Sequence, residues 1–189
     1  MLTLLLSALR LLFALSLLTG VLYPALVLVV ARFAFPEQAS GSLIERDGRV
    51  VGSRLIGQPF ESARWFASRP SATQARPYDA SASSGSNLGP TSPALADAVR
   101  MRVALWRERV GTRAAVPVDL VTASASGLDP HQSPAAALFQ AERVAAARGL
   151  DPARVRALVE QHVERRTAGF LGEPRVNVLE LNLALDALR

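Results

Sequence analysis

Residues 11–31 read LLFALSLLTGVLYPALVLVVA, a run without a single charge between Arg10 and Arg32. As a helix rising about 1.5 Å per residue, such a run matches a hydrocarbon core of roughly 30 Å. It reads as a membrane span. A cleaved signal peptide is the competing reading, but it needs an apolar stretch of roughly 7–15 residues and a small-x-small cleavage site. This run is longer, and Val29-Val30-Ala31-Arg32 is a poor site. Tyr23 lies within it and Phe33 and Phe35 just past it, where aromatic rings seat at a membrane interface. Pro24 marks a kink or a helix-packing site, which membrane helices tolerate. One arginine flanks each end and Glu37 offsets Arg32, so the positive-inside rule puts the amino end inside and the bulk of the chain outside.

Charge divides the rest of the chain from this anchor. Residues 1–36 hold only Arg10 and Arg32, and all other charged side chains lie beyond them, which separates an anchor, 1–36, from a soluble domain, 37–189. The chain has no cysteine, and its 21 basic residues are all arginine. Disulfide frameworks, Cys-ligated zinc, iron–sulfur clusters, thiol nucleophiles, Schiff bases and a complete Walker A loop are thereby excluded. A cysteine-free exterior domain is compatible with the periplasm, where disulfides are permitted and not required. The pI near 11.1 accompanies a formal charge of only +5. With the anchor set aside, 19 arginines face 16 acids, and no run of four basic residues occurs. No nucleic-acid partner is read from this pattern.

Short runs around Asp47-Gly48 predict a hairpin within 42–56. Residues 69–93, dense in Ser, Pro, Gly and Asn, predict a long loop. Ser92-Pro93, Ser133-Pro134 and Asp151-Pro152 each pair a capping side chain with a proline suited to the first helical position. The helices so opened end near Gly111, near Gly149 and past Val159. The first carries an apolar stripe of Leu95, Val99, Val103, Trp106 and Val110, and the third buries Val155, Leu158, Val159 and Val163. Residues 116–123 predict a short strand and 124–132 a loop, while 176–188 read as a strand leading into a helix, with a single helix as the alternative. The fold class is α+β: a single N-terminal transmembrane helix, then one mixed extracytoplasmic domain.

Two loops echo one another. Ser86-Asn87-Leu88-Gly89-Pro90 precedes Ser92-Pro93-Ala94, and Ser126-Gly127-Leu128-Asp129-Pro130 precedes His131 and Ser133-Pro134-Ala135. Each puts a turn beside a helix amino terminus, which favours a recognition surface over a phosphate cradle, since neither loop has a nucleotide fold's glycine density. A hydrolase built from Ser124, Ser126, Asp119, Asp129 and His131 lacks the G-x-S-x-G elbow. His131 reads as a surface or capping residue, and His162, between Val159 and Val163, as a partly buried helical histidine. Two histidines so far apart make no metal site on their own.

These stretches, with Leu55-Ile56-Gly57-Gln58, Arg69-Pro70-Ser71-Ala72, Ser84-Gly85, Val118-Asp119-Leu120-Val121-Thr122, Arg175-Val176-Asn177-Val178-Leu179 and Leu181-Asn182-Leu183-Ala184-Leu185-Asp186, resemble the small C subunit (KdpC) of the Kdp potassium-transporting P-type ATPase. The match is collinear over nearly the whole chain. Gln132 stands where an apolar residue often follows the histidine, and Ala125 where glycine is common. The resemblance implies a non-catalytic subunit in the bacterial inner membrane, in complex with a channel-like A subunit that binds K⁺ and a P-type ATPase B subunit that holds ATP and Mg²⁺. It implies a role in assembly and stability, and a catalytic-chaperone role raising the B subunit's ATP affinity. That second role conflicts with an exterior domain lacking a nucleotide fingerprint. An anchored periplasmic hydrolase or binding module is the alternative. Candidates for docking onto the partners are Arg69, Pro70, Ser71, Tyr78, Ser86, Asn87, Leu88, Gly89, Pro90, Ser126, Gly127, Leu128, Asp129, Pro130 and His131.

Overall fold

The computed structural model describes residues 1–188. The chain forms two compact units, residues 1–43 and the chain from Ile44 onward. In the first, one apolar helix spans Leu2–Ala34, long and apolar enough to cross a membrane once. It comprises α1 (Leu2–Leu17), a π turn (Leu18–Leu22) and α2 (Tyr23–Ala34), and a single turn, α3 (Pro36–Ala39), follows. The helix begins well before residue 11 because Leu2, Leu4, Leu5, Leu6 and Leu9 extend the apolar run and nothing there breaks a helix. Pro24 offers no N–H to the Gly20 carbonyl. The π turn lies immediately before it, and Leu17, Leu22 and Tyr23 keep right-handed helical backbone, so the proline is taken up by a widened turn.

The second unit is a mixed helix and sheet domain. β1 (Leu43–Arg46) and β2 (Arg49–Ser53) form the predicted hairpin. Asp47 and Gly48 between them have φ of 52° and 72°, the left-handed pair that a two-residue turn needs. Four helices follow: α4 (Pro93–Val110), α5 (Pro134–Arg148), α6 (Pro152–Gln161) and α7 (Val178–Ala187). Three short strands, β3 (His131–Gln132), β4 (Val163–Glu164) and β5 (Arg175–Asn177), make an antiparallel sheet of order β3-β5-β4. Residues 176–188 thus take the strand-into-helix form.

Some expectations are corrected. Residues 116–123 are not a strand: Val118–Leu120 is a 3₁₀ turn closed by Leu120 N–H to Pro117 O and Val121 N–H to Val118 O, both at 3.1 Å. Its remaining carbonyls meet side chains instead of a neighbouring strand, Leu120 O accepting from Trp106 Nε1 at 3.0 Å and Val121 O from Arg102 at 2.9 Å. Gln132 and His131 belong to β3 rather than to the loop, because β5 is beside them to pair. Val163 lies in β4, and His162 ends α6 as its C-cap, its Nδ1 2.8 Å from Leu158 O. Ser133 and Asp151 cap as expected, accepting the N–H groups of Ala136 and Ala153. Ser92 makes no such bond.

Two apolar clusters hold this unit. In the larger, α5 presents Ala137, Ala141, Val144 and Ala145 to Val155, Leu158 and Val159 of α6 and to Leu181 and Leu185 of α7. The small alanine face lets these helices approach closely around Phe66, which is fully buried. In the smaller, Trp106 packs on Leu120, Val121 and Ala136, with Val99, Val103 and Val110 of the predicted stripe half-buried around it.

Phe66 sits in a segment without a strand partner, and side chains supply what a ladder would. Gln140 accepts the Ala67 N–H at 2.8 Å and donates to Ala67 O at 3.2 Å. Arg143 donates to Ala63 O and Trp65 O, each at 2.9 Å, and Arg148 donates to Arg64 O at 2.9 Å. Burial lowers the Arg143 pKa to about 10, assisted by nearby Arg109, which leaves it cationic at neutral pH. Buried backbone groups need partners, and here α5 provides most of them.

Candidate functional site

Three loop segments, residues 69–79, 83–85 and 124–131, interlock on the second unit. Ser71 stands between two of them: its hydroxyl donates to Gly127 O at 2.7 Å and accepts the Tyr78 N–H at 3.0 Å. Ser83 Oγ donates to Ser126 O at 3.0 Å. The Gly57 N–H donates to Leu128 O at 2.8 Å, and a Cβ on Gly57 would lie 2.5 Å from the Tyr78 ring. The Tyr78 hydroxyl donates to Arg69 O. Desolvation raises its pKa to about 12, so the phenol stays protonated and keeps that bond at any physiological pH. Tyr78 itself has φ of 59°, an uncommon conformation for so large a side chain, held here by the bonds at both its ends.

Asp129 is the electrostatic centre of the cluster. Its Oδ2 lies 2.8 Å from Arg69 NH1, and its Oδ1 accepts the His131 N–H at 2.9 Å. Burial opposes its charge, but the nearby His131 ring, the hydrogen bond from the His131 backbone N–H and the Arg69 guanidinium outweigh burial and hold the carboxyl below its ordinary range. The His131 ring lies between two carboxylates, Nδ1 3.6 Å from Asp129 and Nε2 3.8 Å from Glu164 on β4. Val178 N–H to Pro130 O at 2.9 Å ties the same loop to the start of α7. A pocket of about 340 Å³ opens here, lined by Arg69, Asp129 and His131 and by Glu173, Pro174 and Arg175 at the base of the β4–β5 hairpin.

The two echo loops therefore occupy different settings. Arg69, Pro70, Ser71, Tyr78, Ser126, Gly127, Leu128, Asp129, Pro130 and His131 come together, all buried or half-buried. Ser86, Asn87, Leu88, Gly89 and Pro90 are all exposed and project beyond the cluster, attached through Gly85, which lies against the Ala125 backbone. The likeness in sequence reflects a shared turn ahead of a proline-started helix. Gly127 has φ of 67° and Asn87 φ of 52° at equivalent turn positions. His131 is a half-buried strand residue facing acids, neither a surface nor a capping group.

Sequence reading did not single out Thr73 or Ser83. Thr73 Oγ1 donates to Arg76 O at 2.6 Å. Short hydroxyl side chains in a loop carry no periodic signal, and their partners lie in other loops. Chemically, the cluster holds backbone. Ser124 Oγ accepts the Gly127 N–H at 2.9 Å and Ser126 Oγ the Leu128 N–H at 3.1 Å. Among the described residues neither hydroxyl is bonded to His131, so the pairing of nucleophile with base that a serine hydrolase requires is not assembled.

A rigid, polar loop platform on a domain that follows one apolar helix agrees with the likeness noted above. The family profile described as KdpC, K⁺-transporting ATPase, c chain, matches residues 5–187. The chain belongs to the KdpC family. It is similar to the potassium-transporting ATPase KdpC subunits of Methylococcus capsulatus and Sorangium cellulosum, each 61% identical over 183 residues that cover 96% of both chains. To the KdpC subunit of Methylibium petroleiphilum it is 58% identical over 188 residues, 99% of this chain and 98% of the relative. A KdpC-family chain is an accessory subunit of a K⁺-transporting ATPase and not its catalytic subunit, and it acts in a complex with other subunits.

Proposed function

We propose that this chain assembles and stabilises the potassium-transporting complex by docking its mixed domain over the exterior side of the transporter. The apolar helix packs in the bacterial inner membrane with its amino end in the cytoplasm. The partners are the channel-like A subunit, which holds K⁺, and the P-type B subunit, which holds ATP and Mg²⁺. One observation carries the reading: the candidate residues form a loop platform whose side chains are engaged in fixing backbone, with Asn87 and Leu88 projecting beside it. Preorganised loops lower the ordering cost of association.

Co-purification of the three subunits tests this. Asn87→Ala with Asp129→Ala is expected to reduce recovery of this chain with its partners, and full assembly with unchanged K⁺ transport would count against it. A compartment-sensitive reporter at the carboxyl end is expected to report the exterior. A cytoplasmic signal would instead favour the catalytic-chaperone role, in which the domain raises the ATP affinity of the B subunit.

A further inference from the structure

The connection between β4 and β5 ends in an ordered apolar tip. Thr167 and Leu171 exchange backbone hydrogen bonds of 2.9 and 3.0 Å, and Gly169 N–H and Phe170 N–H bond back to Arg166 and Thr167 within the same turn. This turn holds Phe170 71% and Leu171 55% exposed, side by side in sequence. Arg166 is paired with Glu173 at 2.6 Å, whereas Arg165 makes no ion pair among the described residues. At its base, Glu173, Pro174 and Arg175 share one pocket with Arg69, Asp129 and His131, so the hairpin is continuous with the loop platform.

We propose that Phe170 and Leu171 are an anchor that enters an apolar, carboxylate-rimmed pocket on another chain of the ATPase, an inference that rests on the docking reading above. Aromatic side chains are enriched at protein interfaces, and an exposed Phe-Leu pair on a hydrogen-bonded turn is suited to filling an apolar pocket. Arg165, which opens the same connection and makes no ion pair among the described residues, calls for an acid on the partner. An anionic bilayer fits less well, because Arg165, Arg166 and the 79% exposed Glu173 side chain leave the tip with one net positive charge.

The test uses the assembled complex, with the photoreactive p-benzoylphenylalanine in place of Phe170. Light is expected to join position 170 to another subunit, at a peptide bearing Asp or Glu among apolar residues, with the yield lowered about tenfold by Arg165→Glu. Phe170→Asp is expected to reduce recovery of the chain with its partners to a similar degree while the isolated full chain in detergent keeps its unfolding midpoint. Adducts to lipid alone, or no adduct in a complex that purifies intact, would overturn the anchor and leave docking by the loops standing. Adducts that persist in an intact Asp129→Ala complex would support the anchor and remove the loop platform from the interface.

Discussion

The Asn182 carboxamide holds Phe66 by both of its backbone groups. Oδ1 accepts the Phe66 N–H at 2.9 Å and Nδ2 donates to the Phe66 carbonyl at 2.9 Å, across 116 positions of sequence. Asn182 is 1% exposed and Phe66 0%. The segment entering the loop platform is therefore fastened to α7 by a side chain imitating a strand, next to where Gln140 of α5 does the same for Ala67.

Asn182→Ala leaves a buried donor and a buried acceptor unpaired, each costing about 1–3 kcal/mol. A loss of about 2–4 kcal/mol is expected in urea unfolding of the full chain in detergent. Asn182→Leu should not recover it, because filling the volume does not satisfy the two backbone groups.

Asp129 links stability to pH. A carboxyl with a depressed folded pKa contributes stability that is fully present above its unfolded value, near 3.9, and lost as pH falls through the folded one. Thermal midpoints measured between about pH 2 and 6 should fall less steeply on acidification in Asp129→Asn than in the unsubstituted chain. Equal slopes would deny Asp129 this role.

The two serine–proline helix starts should respond differently to the same change. Ser133→Ala removes a side-chain acceptor from the Ala136 N–H, 3.2 Å away, and should cost about 1 kcal/mol. Ser92 makes no capping bond, and Ser92→Ala should stay within about 0.5 kcal/mol of neutral. Parallel denaturant titrations of the two variants decide this.

Gly127 cannot accept a side chain. Its φ is 67°, and a Cβ would stand 2.6 Å from Ser84 O and 2.8 Å from Thr73 Cγ2, between the loops that it joins. Gly127→Ala is expected to destabilise by about 2–4 kcal/mol and to speed amide exchange across residues 71–85. At Gly89, two residues past Asn87 in the exposed echo loop, a Cβ meets nothing within 4 Å, and Gly89→Ala should be close to neutral.

Much of this was legible in the chain itself. Local signals act within a few residues, so the apolar run, the Asp47-Gly48 turn and the Pro93, Pro134 and Pro152 helix starts could be read without a structure. The strand read at residues 116–123 failed because β-prone side chains make a strand only where another strand lies alongside, and here Trp106 and Arg102 take those carbonyls. Asn177 and Asn182 were recognisable only as parts of a family pattern. Asn177 Oδ1 accepts the Leu179 and Glu180 N–H groups at the start of α7, and its Nδ2 donates to Arg54 O at 2.8 Å.

By itself the sequence determined a membrane-spanning helix, an α+β domain, the exclusion of thiol and lysine chemistry, and the family. It did so because hydrophobic length, capping and composition are local or additive properties. Only the tertiary structure decided that one echo loop is packed and its counterpart exposed, and that Arg69 meets Asp129 across 60 positions. Such pairings depend on which distant segments the core brings together, and neither periodicity nor spacing along a chain records that.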